Sequence, residues 1–330
     1  MQVKNVGIIG LGTYVPENIM TNFDFEKIID TTDEWIRTRT GIEERRFAGP
    51  EQATSDLAAA AAKRALEKAG MSAEELDLII VATTTPDYPI QSTACVVQEL
   101  IGAVNAAAVD VNAACSGFVY GLSLAKGMIG SGLNKKVLVI GAEVLSKCVD
   151  MQDRNTCVLF GDGAAAAVLT EVEDGCGILS QYLAAEADTK GSLRTPAGGT
   201  RKPLSQEVLE ERSNFLQMKG QDVFKFAVKA LPKATLEALN SANISAEDVD
   251  MVFPHQANVR IIEAASKRLG IPMEKFYLNL NKYGNTSSAS IGLALGEALD
   301  KGMVKKGDTI ALTGFGAGLT YASMIIKWCY

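Results

Sequence analysis

One segment occurs twice in the chain, first as Ser72-Ala73-Glu74-Glu75-Leu76-Asp77-Leu78-Ile79 and again as Ser245-Ala246-Glu247-Asp248-Val249-Asp250-Met251-Val252. In both copies a polar turn leads into an apolar strand. A helix, a second strand, a loop, a helix rich in alanine and glycine, and a further strand then follow in the same order and at similar spacing. Two short matches alone arise by chance, but a shared order of elements indicates an internal duplication.

The duplication predicts an α/β fold built from two βαβ-rich halves, residues 1–174 and 175–330, packed against each other as a pseudo-dimer. After the repeated stretch, each half contributes a second strand, a helix of small residues and a closing strand. The predicted ranges are Ala107 to Asn112, Ser116 to Ser131 and Val137 to Gly141 in the first half, and Phe276 to Asn281, Ser287 to Leu299 and Thr309 to Gly314 in the second.

The composition of the 330 residues narrows the class of protein. A hydrophobic content of 47% is typical of a folded globular protein, and a net charge of −7 argues against a general nucleic-acid binder. No apolar run approaches the roughly 20 residues that span a bilayer, and the N-terminus lacks the layout of a signal peptide, so we expect a cytoplasmic protein. With one histidine and six cysteines, none of them in a Cys-x-x-Cys pair, we expect no metal site.

The single histidine, His255, is the one imidazole available for chemistry near neutral pH. A lone histidine is more often a structural, hydrogen-bonded residue. Here it follows the predicted strand Val249 to Phe253 and precedes the predicted helix Val259 to Leu269, where α/β proteins place active-site groups. A pseudo-twofold axis between the halves would bring the loop Gly284-Asn285-Thr286 towards Cys115, and His255 would join them. The repeat therefore predicts a cluster of cysteine, histidine and asparagine.

Cys115 stands immediately after a strand-like segment and at the start of a predicted helix. The positive end of the helix dipole and the unpaired amide donors there favour a thiolate. Ser116 and Gly117 are small, so a substrate chain can approach the sulfur. These features suit acyl transfer through a thioester intermediate, with the Cys115 N–H available to stabilise an oxyanion.

Four motifs around these residues resemble the thiolase superfamily and, more narrowly, the β-ketoacyl-acyl carrier protein synthase III family. They are Asp-Val-Asn-Ala-Ala-Cys-Ser-Gly-Phe (110–118), Pro-His-Gln-Ala-Asn (254–258), Gly-Asn-Thr-Ser-Ser-Ala-Ser (284–290) and Gly-Phe-Gly-Ala-Gly (314–318). The resemblance extends from the first strand to the C-terminus. It implies a thiolase-like fold of five layers, α-β-α-β-α, and a homodimer.

The resemblance also implies a reaction and the residues that carry it. Cys115 would accept an acyl group from acyl-coenzyme A, and malonyl-acyl carrier protein would then lose carbon dioxide and attack the enzyme-bound thioester. His255 and Asn285 would donate hydrogen bonds to the malonyl thioester oxygen as charge develops on it. The N–H groups of Cys115 and Ala317 would form the oxyanion hole. The product, a 3-oxoacyl-acyl carrier protein, would initiate type II fatty acid synthesis, with coenzyme A as a substrate and no cofactor.

The family pattern further implies binding residues for coenzyme A and for the carrier protein. Trp35 would stack on the adenine with Arg154 on the other side of the base, and Arg39 would meet the phosphates. The full coenzyme set is Thr31, Trp35, Arg39, Arg154, Gly220, Phe224, Ala257 and Asn258. Because carrier proteins are acidic, a basic patch on this acidic chain has a reason to exist. Its predicted members are Lys225, Arg260, Lys267 and Arg268.

Two segments bear on primer choice and access. The loop Pro86 to Gln91 would cross the dimer interface and put Ile90 in the partner's acyl pocket, where its small size would favour longer or branched primers. The polar stretch Asp188 to Arg212 would form a mobile flap over the entrance.

Several other interpretations compete with this one. Gly10-Leu11-Gly12 suggests an NAD-dependent oxidoreductase, but Val15 and Pro16 stand where the dinucleotide motif needs a glycine and a helix. A non-catalytic partner of a condensing enzyme would be expected to lack Cys115. Asn285 in place of a glutamate argues against the hydroxymethylglutaryl type. A secondary-metabolite condensing enzyme, of polyketide or quinolone type, that shares the triad remains open.

Overall fold

A computed structural model of the chain describes residues 4–330. The strands are β1 Val6–Tyr14, β2 Asn18–Thr21, β3 Glu44–Phe47, β4 Leu78–Ala82, β5 Ala107–Val111, β6 Val137–Glu143, β7 Gly163–Glu171, β8 Gly177–Ala185, β9 Leu193–Arg194, β10 Gln217–Met218, β11 Met251–Pro254, β12 Thr309–Gly316 and β13 Thr320–Lys327. The α-helices are α1 Asn22–Phe25, α2 Asp33–Thr40, α3 Thr54–Ala69, α4 Thr93–Ile101, α5 Gly117–Gly130, α6 Gln206–Glu210, α7 Gly220–Ala242, α8 Val259–Leu269, α9 Leu280–Tyr283 and α10 Ser290–Asp300.

Two sheets of matching topology organise these elements. The first has the order β1-β7-β6-β4-β5, in which β6, β4 and β5 run parallel and β1 and β7 are antiparallel to their neighbours. The second has the order β8-β13-β12-β11, with β11 and β12 parallel and the other pairs antiparallel. Strands β1, β7, β6 and β4 thus correspond to β8, β13, β12 and β11, which is the arrangement that the duplicated sequence predicts. The predicted boundary at residues 174 and 175 falls in the turn between β7 and β8.

Helices cover both faces of each sheet and produce five layers. Helix α4 and the alanine-rich helix α3 pack on the outer face of the first sheet. Helices α7 and α8 pack on the outer face of the second. Between the sheets, α5 and α10 share one core with strands of both halves, including the fully buried Phe118, Leu122 and Ile291. The small residues that these two helices carry allow close approach. A Cβ on Gly292 of α10 would lie 2.4 Å from the Ala165 side chain of β7. No helix within residues 4–330 is both long and apolar enough to cross a membrane.

The glycines of β1 allow a helix to pack closely on the strand, and this role requires no bound dinucleotide. Gly10 and Gly12 lie inside β1, and a Cβ at either position would come within 2.3 Å of a backbone oxygen of α3. They therefore let α3 lie directly on β1. A phosphate-binding glycine loop stands between a strand and a helix, so the dinucleotide interpretation is wrong.

One predicted strand, Phe276 to Asn281, is absent. Phe276 forms only an isolated bridge with Val252 of β11, so the second sheet lacks the strand that would correspond to β5. The reason is a side chain that sequence patterns do not reveal. The Gln256 side-chain oxygen accepts hydrogen bonds from the N–H groups of Asn279 and Leu280 at 3.0 and 3.2 Å, and the chain turns there into α9. The neighbouring predictions hold, since helix α8 has the predicted bounds and α5, α10, β6 and β12 differ by a few residues at their ends.

Candidate active site

Cys115 lies where two cavities meet. One cavity, of about 380 Å³, is also lined by His255 and Asn285 and extends to Trp35. The other, of about 550 Å³, is lined by Thr85, Cys148 and Ala317 among others. The predicted cysteine, histidine and asparagine are therefore brought together, although 140 residues separate the first from the second. A nucleophile at such a junction can be reached by one group from each side.

The local backbone presents Cys115 on a tight turn. The Asn112 side-chain oxygen accepts a hydrogen bond from the Ala114 N–H, and Ala114 has φ +46°, in the left-handed region that residues with a Cβ rarely adopt. A single 3₁₀ turn, Ala114–Ser116, then leads into α5. The Ser116 hydroxyl ties this turn to Thr320 at 2.9 Å. The turn is therefore held from both halves of the chain.

The second half contains a turn of the same type. The Asn285 side-chain oxygen accepts from the Ser287 N–H at 2.9 Å, Ser287 has φ +47°, and the 3₁₀ turn Ser287–Ala289 leads into α10. Asn285 thus corresponds to Asn112, and Ser288 corresponds to Cys115. Because the Asn285 oxygen is occupied, its Nδ2 amide is the group left to donate to a ligand in the cavity.

His255 is held as a neutral donor. Its side chain is buried, and burial lowers its pKa from 6.5 to about 3. The ring Nδ1 lies 2.7 Å from the Ser290 hydroxyl, which also accepts a hydrogen bond from the Gln256 N–H. Nδ1 is therefore engaged by Ser290, which leaves Nε2 as the ring nitrogen available to a ligand. Ser290 lies within a motif quoted above, but the sequence pattern assigned it no role.

The enclosure of Cys115 affects the pKa of its thiol. Burial raises its pKa from 9.0 to about 12, although hydrogen bonding from the Ser287 side chain opposes the shift. Burial therefore opposes the thiolate that the start of α5 was predicted to favour. Desolvation of the almost fully enclosed sulfur is the largest cause of this shift. The thiol must lose its proton as it attacks.

Sequence reasoning missed Glu143, the last residue of β6. Its carboxylate is completely buried and accepts hydrogen bonds from both halves, at 2.8 Å from Thr85 and at 3.0 Å from Ser287 and from Ser288. Burial raises the pKa of this carboxyl despite those donors. A glutamate that directly continues an apolar strand was the signal that could have revealed it.

Most of the residues that the family pattern implies for coenzyme A binding line a single cavity. Six of the eight line the 380 Å³ cavity with Cys115, namely Trp35, Arg39, Gly220, Phe224, Ala257 and Asn258. Thr31 and Arg154 do not line it. The Arg154 guanidinium instead lies 5.2 Å from the centre of the Trp35 ring and donates to the Asp30 carbonyl, while Arg39 lies 4.7 Å from the same ring. Two guanidinium groups therefore already lie against the ring on which the adenine was predicted to stack.

Comparison with known proteins shows which family this chain matches. Two models of 3-oxoacyl-[acyl-carrier-protein] synthase III match, one over residues 109–187 and the C-terminal one over residues 239–328. The chain belongs to the 3-oxoacyl-[acyl-carrier-protein] synthase III family. It is 61% identical to a β-ketoacyl-[acyl-carrier-protein] synthase III of Fusobacterium nucleatum, a match that covers 99% of this chain and 100% of the relative. The corresponding protein of Caldanaerobacter subterraneus is 58% identical, with 98% and 97% covered.

Solved structures agree with the curated relatives. The 3-oxoacyl-[acyl-carrier-protein] synthase III of Aquifex aeolicus superposes with a TM-score of 0.91 at 48% identity, covering 98% of this chain and 100% of that chain. The predicted family, the thiolase-like fold and the class of acyl-transferring condensing enzyme are thereby confirmed.

The four basic residues of the predicted docking patch have different surroundings. Arg260 donates to the Thr38 carbonyl of α2, and Arg268 donates to the Val228 carbonyl of α7, both at 2.8 Å. Lys267 stands beside Arg268 in the last turn of α8. Lys225 lies on α7 and lines a separate surface groove with Lys229 and Lys233. The two arginines therefore also brace α8 against its neighbours.

Two further predicted segments lie at the edges of the site. Ile90 is 99% exposed in the loop between β4 and α4, and it does not line either cavity next to Cys115. Residues 188–212 are braced by Asp188, whose carboxylate accepts from the Ser192 N–H at 2.6 Å, and by the pairing of β9 with β10. Leu193 of this segment lines both cavities. Mobility of the segment stays a prediction.

Proposed function

We propose that this chain catalyses the decarboxylating Claisen condensation of an acyl-coenzyme A primer with malonyl-acyl carrier protein, and so starts type II fatty acid synthesis. The observation that carries the proposal is the cavity shared by one thiol and two neutral hydrogen-bond donors, Cys115, His255 and Asn285. Relatives that are named β-ketoacyl-[acyl-carrier-protein] synthases over their whole length favour this pathway over secondary metabolism.

Acyl transfer is the first half-reaction. The Cys115 sulfur attacks the thioester carbon of the primer, and coenzyme A leaves as a free thiol. The charged oxygen of the tetrahedral intermediate accepts hydrogen bonds from the N–H groups of Cys115 and Ala317. The tight approach between Gly316 and Cys115 supports this pairing, because a Cβ on Gly316 would lie only 2.5 Å from the Cys115 nitrogen. The primer chain then occupies the 550 Å³ cavity on the other side of the sulfur.

Decarboxylation is the second half-reaction. When malonyl thioester loses carbon dioxide, the electron pair moves onto the thioester oxygen. The Nε2–H of His255 and the Nδ2–H of Asn285 donate to that oxygen. A neutral imidazole suits this role, because it remains a donor over the whole range of pH above its lowered pKa. The enolate carbon then attacks the acyl group on Cys115, and the sulfur leaves. The thioester carbonyl itself holds the developing charge, so the reaction needs no resident cofactor.

The remaining binding residues belong to the same proposal. Coenzyme A would lie along the cavity from Cys115 to Trp35, with its adenine on the indole and its phosphates near Arg39. Thr31 and Arg154 would contact it only after a local rearrangement at the entrance. Lys225 and Lys267 would meet the acidic carrier protein, with Arg260 and Arg268 adding charge while they brace α8.

A homodimer and a cytoplasmic location complete the proposal. Strand β5 is the edge strand of the first sheet among residues 4–330, and its Val109 is exposed, as are the apolar Leu100 and Val104 that precede it in the chain. An exposed apolar strand edge invites pairing with another strand, and a second copy would present the same edge. Pairing there would carry the loop of Ile90 towards the partner. Light scattering of the wild-type chain and of Val104→Asp tests this, and a monomer for the wild-type chain would refute it.

The test of the reaction uses labelled substrates. Acetyl-coenzyme A carrying ¹⁴C in the acetyl group and malonyl-acyl carrier protein are incubated with the enzyme, and the carrier protein is analysed by mass. We expect one 3-oxobutanoyl group and one carbon dioxide for each coenzyme A released. Consumption of acetyl-coenzyme A without any labelled carrier protein would contradict the proposal. A carrier protein from a polyketide pathway serves as the comparison, and its preferential use would favour the secondary-metabolite alternative.

A further inference from the structure

Arg45 of β3 is a charged residue that the fold buries completely, and neither half-reaction described above uses it. Its side chain is fully enclosed, with the guanidinium carbon 4.8 Å from the centre of the Phe25 ring. None of the salt bridges within residues 4–330 involves it. Burial lowers the pKa of Arg45 to about 10, so the guanidinium still carries its charge near neutral pH. Removing such a group from water is costly, and its hydrogen bonds have to compensate.

The hydrogen bonds of Arg45 go to uncharged oxygens on two separate parts of the chain. Nη1 donates to the Met20 carbonyl at 3.1 Å and to the Asn22 side-chain oxygen at 2.9 Å, at the junction of β2 and α1. Nη2 donates to the Val158 carbonyl at 2.5 Å, in the loop between β6 and β7. The guanidinium therefore ties this loop to the N-terminal part of the chain, across 113 positions of sequence.

The same loop also holds Asn285. The Leu159 carbonyl accepts a hydrogen bond from the Asn285 N–H at 2.8 Å, and the Gly161 N–H donates to the Asn285 carbonyl at 3.0 Å. The intervening Phe160 forms a parallel bridge with Asn285. These contacts begin one residue beyond Val158, so the 158–161 segment joins the guanidinium to both backbone groups of Asn285.

The stem of Arg45 packs directly against this junction. A Cβ on Gly161 would lie only 3.0 Å from the Arg45 Cβ. A Cβ on Gly284 would lie 3.3 Å from the Arg45 Cβ and 2.8 Å from the Leu159 oxygen. Glycine at both positions therefore allows β3, the 158–161 segment and the residue before Asn285 to meet at close range. Because packed groups have little free space between them, a shift at Arg45 reaches Asn285.

We propose that Arg45 is a positioning residue for decarboxylation, which fixes Asn285 by holding the 158–161 segment at the Val158 carbonyl. The inference rests on the proposed role of Asn285 as a donor to the malonyl thioester oxygen. The side-chain oxygen of Asn285 is occupied by the Ser287 N–H, so the place of its free amide follows the place of its backbone. Arg45 touches neither the substrate nor the reacting atoms and acts only through this segment.

Acyl transfer should not share this dependence. The Cys115 turn is held by the Asn112 side chain and by the hydrogen bond between Ser116 and Thr320. None of these groups belongs to the 158–161 segment. Loss of the guanidinium should therefore separate the two half-reactions, which a general loss of stability would not do.

The adjacent arginine provides a matched control. Arg46 also lies on β3, and its guanidinium donates to the Glu44 carboxylate at 3.0 Å. Its main-chain carbonyl contacts Asp162, but this contact survives a change of side chain. Arg45→Met and Arg46→Met therefore remove the same side chain from the same strand, and only the first removes the donor to the Val158 carbonyl. Arg45→Lys keeps the charge and part of the hydrogen bonding.

Four measurements are made on each full-length variant. The first is single-turnover acetylation of Cys115 at saturating acetyl-coenzyme A, and the second is release of carbon dioxide from malonyl-acyl carrier protein by the acetylated enzyme. The third is hydrogen exchange of the peptides that contain Gly161 and Asn285, and the fourth is thermal unfolding. The rates are measured again in the Asn285→Ala background, which completes a double-mutant cycle.

We expect Arg45→Met to release carbon dioxide about 10²-fold more slowly, because a donor displaced by about 1 Å no longer meets the developing charge. Its acetylation rate should stay within about threefold of wild type. In the Asn285→Ala background the same change should cost less than about threefold, since the group through which Arg45 acts is gone. The amides of Gly161 and Asn285 should exchange about tenfold faster in Arg45→Met. Arg45→Lys should recover part of the rate, and Arg46→Met should resemble wild type.

Four outcomes would overturn the proposal. They are an equal loss of both half-reactions in folded Arg45→Met, an equal effect of Arg45→Met and Arg46→Met, full additivity with Asn285→Ala, and unchanged exchange of the two amides. If Arg45→Met does not fold, Arg45→Lys decides by the same comparisons. A wild-type protein that releases no carbon dioxide would instead refute the proposed function. Hydrogen exchange needs no substrate, so in that case it still decides whether Arg45 holds Asn285.

Discussion

Gly316→Ala is the most direct test of how the oxyanion hole is built. Gly316 ends β12, directly before Ala317, and its backbone is extended, so an alanine meets no conformational strain there. The obstacle is space. The new Cβ would lie 2.5 Å from the Cys115 nitrogen and 2.9 Å from the Ala114 Cβ, whereas ordinary contacts begin near 3.4 Å. The Cys115 turn would have to retreat by about 0.9 Å to accommodate it.

That displacement predicts the size of the effect. A misplacement of about 1 Å costs on the order of 10²-fold in rate, because the reacting groups and the oxyanion donor no longer meet in the productive geometry. Overpacking of this kind also destabilises by roughly 1–3 kcal/mol. We therefore expect acetyl transfer to fall about 100-fold while the protein stays folded. Gly130→Ala at the end of α5 is the control, because a Cβ there meets nothing within 4 Å and should leave the rate unchanged.

The assay is single-turnover acetylation of Cys115 by quenched flow, with thermal unfolding measured on the same samples. The reasoning would be refuted if folded Gly316→Ala acetylated Cys115 within threefold of wild type. It would be refuted equally if Gly130→Ala lost as much activity as Gly316→Ala.

The remaining predictions concern the nucleophile, the two donors and the primer pocket. Cys115 alone should carry the acetyl group after incubation with acetyl-coenzyme A, and peptide mass analysis that found it on another cysteine would contradict this. His255→Ala and Asn285→Ala should keep acetyl transfer but lose malonyl decarboxylation by about 10²–10³-fold; wild-type condensation by either folded variant would exclude its role. Because the pKa of His255 is lowered to about 3, the wild-type decarboxylation step should show no inflection near pH 6.5, and one that vanished in His255→Gln would count against the neutral donor. Ile90→Phe should suppress longer or branched primers by roughly 1–3 kcal/mol per methylene and spare acetyl-coenzyme A; an unchanged primer profile would remove Ile90 from the pocket.

Periodicity and motifs in the chain predicted the overall plan of the molecule. The repeated Ser72–Ile79 stretch predicted two sheets of matching order, and the motifs around Cys115, His255 and Asn285 predicted which loops meet. These features are readable because strand and helix periodicity, and the turn chemistry of glycine and asparagine, are set by neighbouring residues. The predicted strand Phe276 to Asn281 failed, since its backbone groups are captured by Gln256 from another part of the chain.

The surroundings of the polar groups in the site depend on how the whole chain folds. Burial raises the pKa of Cys115 and lowers that of His255, and the Ser290 hydroxyl engages the imidazole Nδ1. Glu143 is a glutamate at the end of an apolar strand in the sequence, and only the folded chain encloses its carboxylate between donors from both halves. Solvation and hydrogen-bond partners depend on residues that are distant in the sequence, such as Ser287 for Glu143, and local patterns do not encode these contacts.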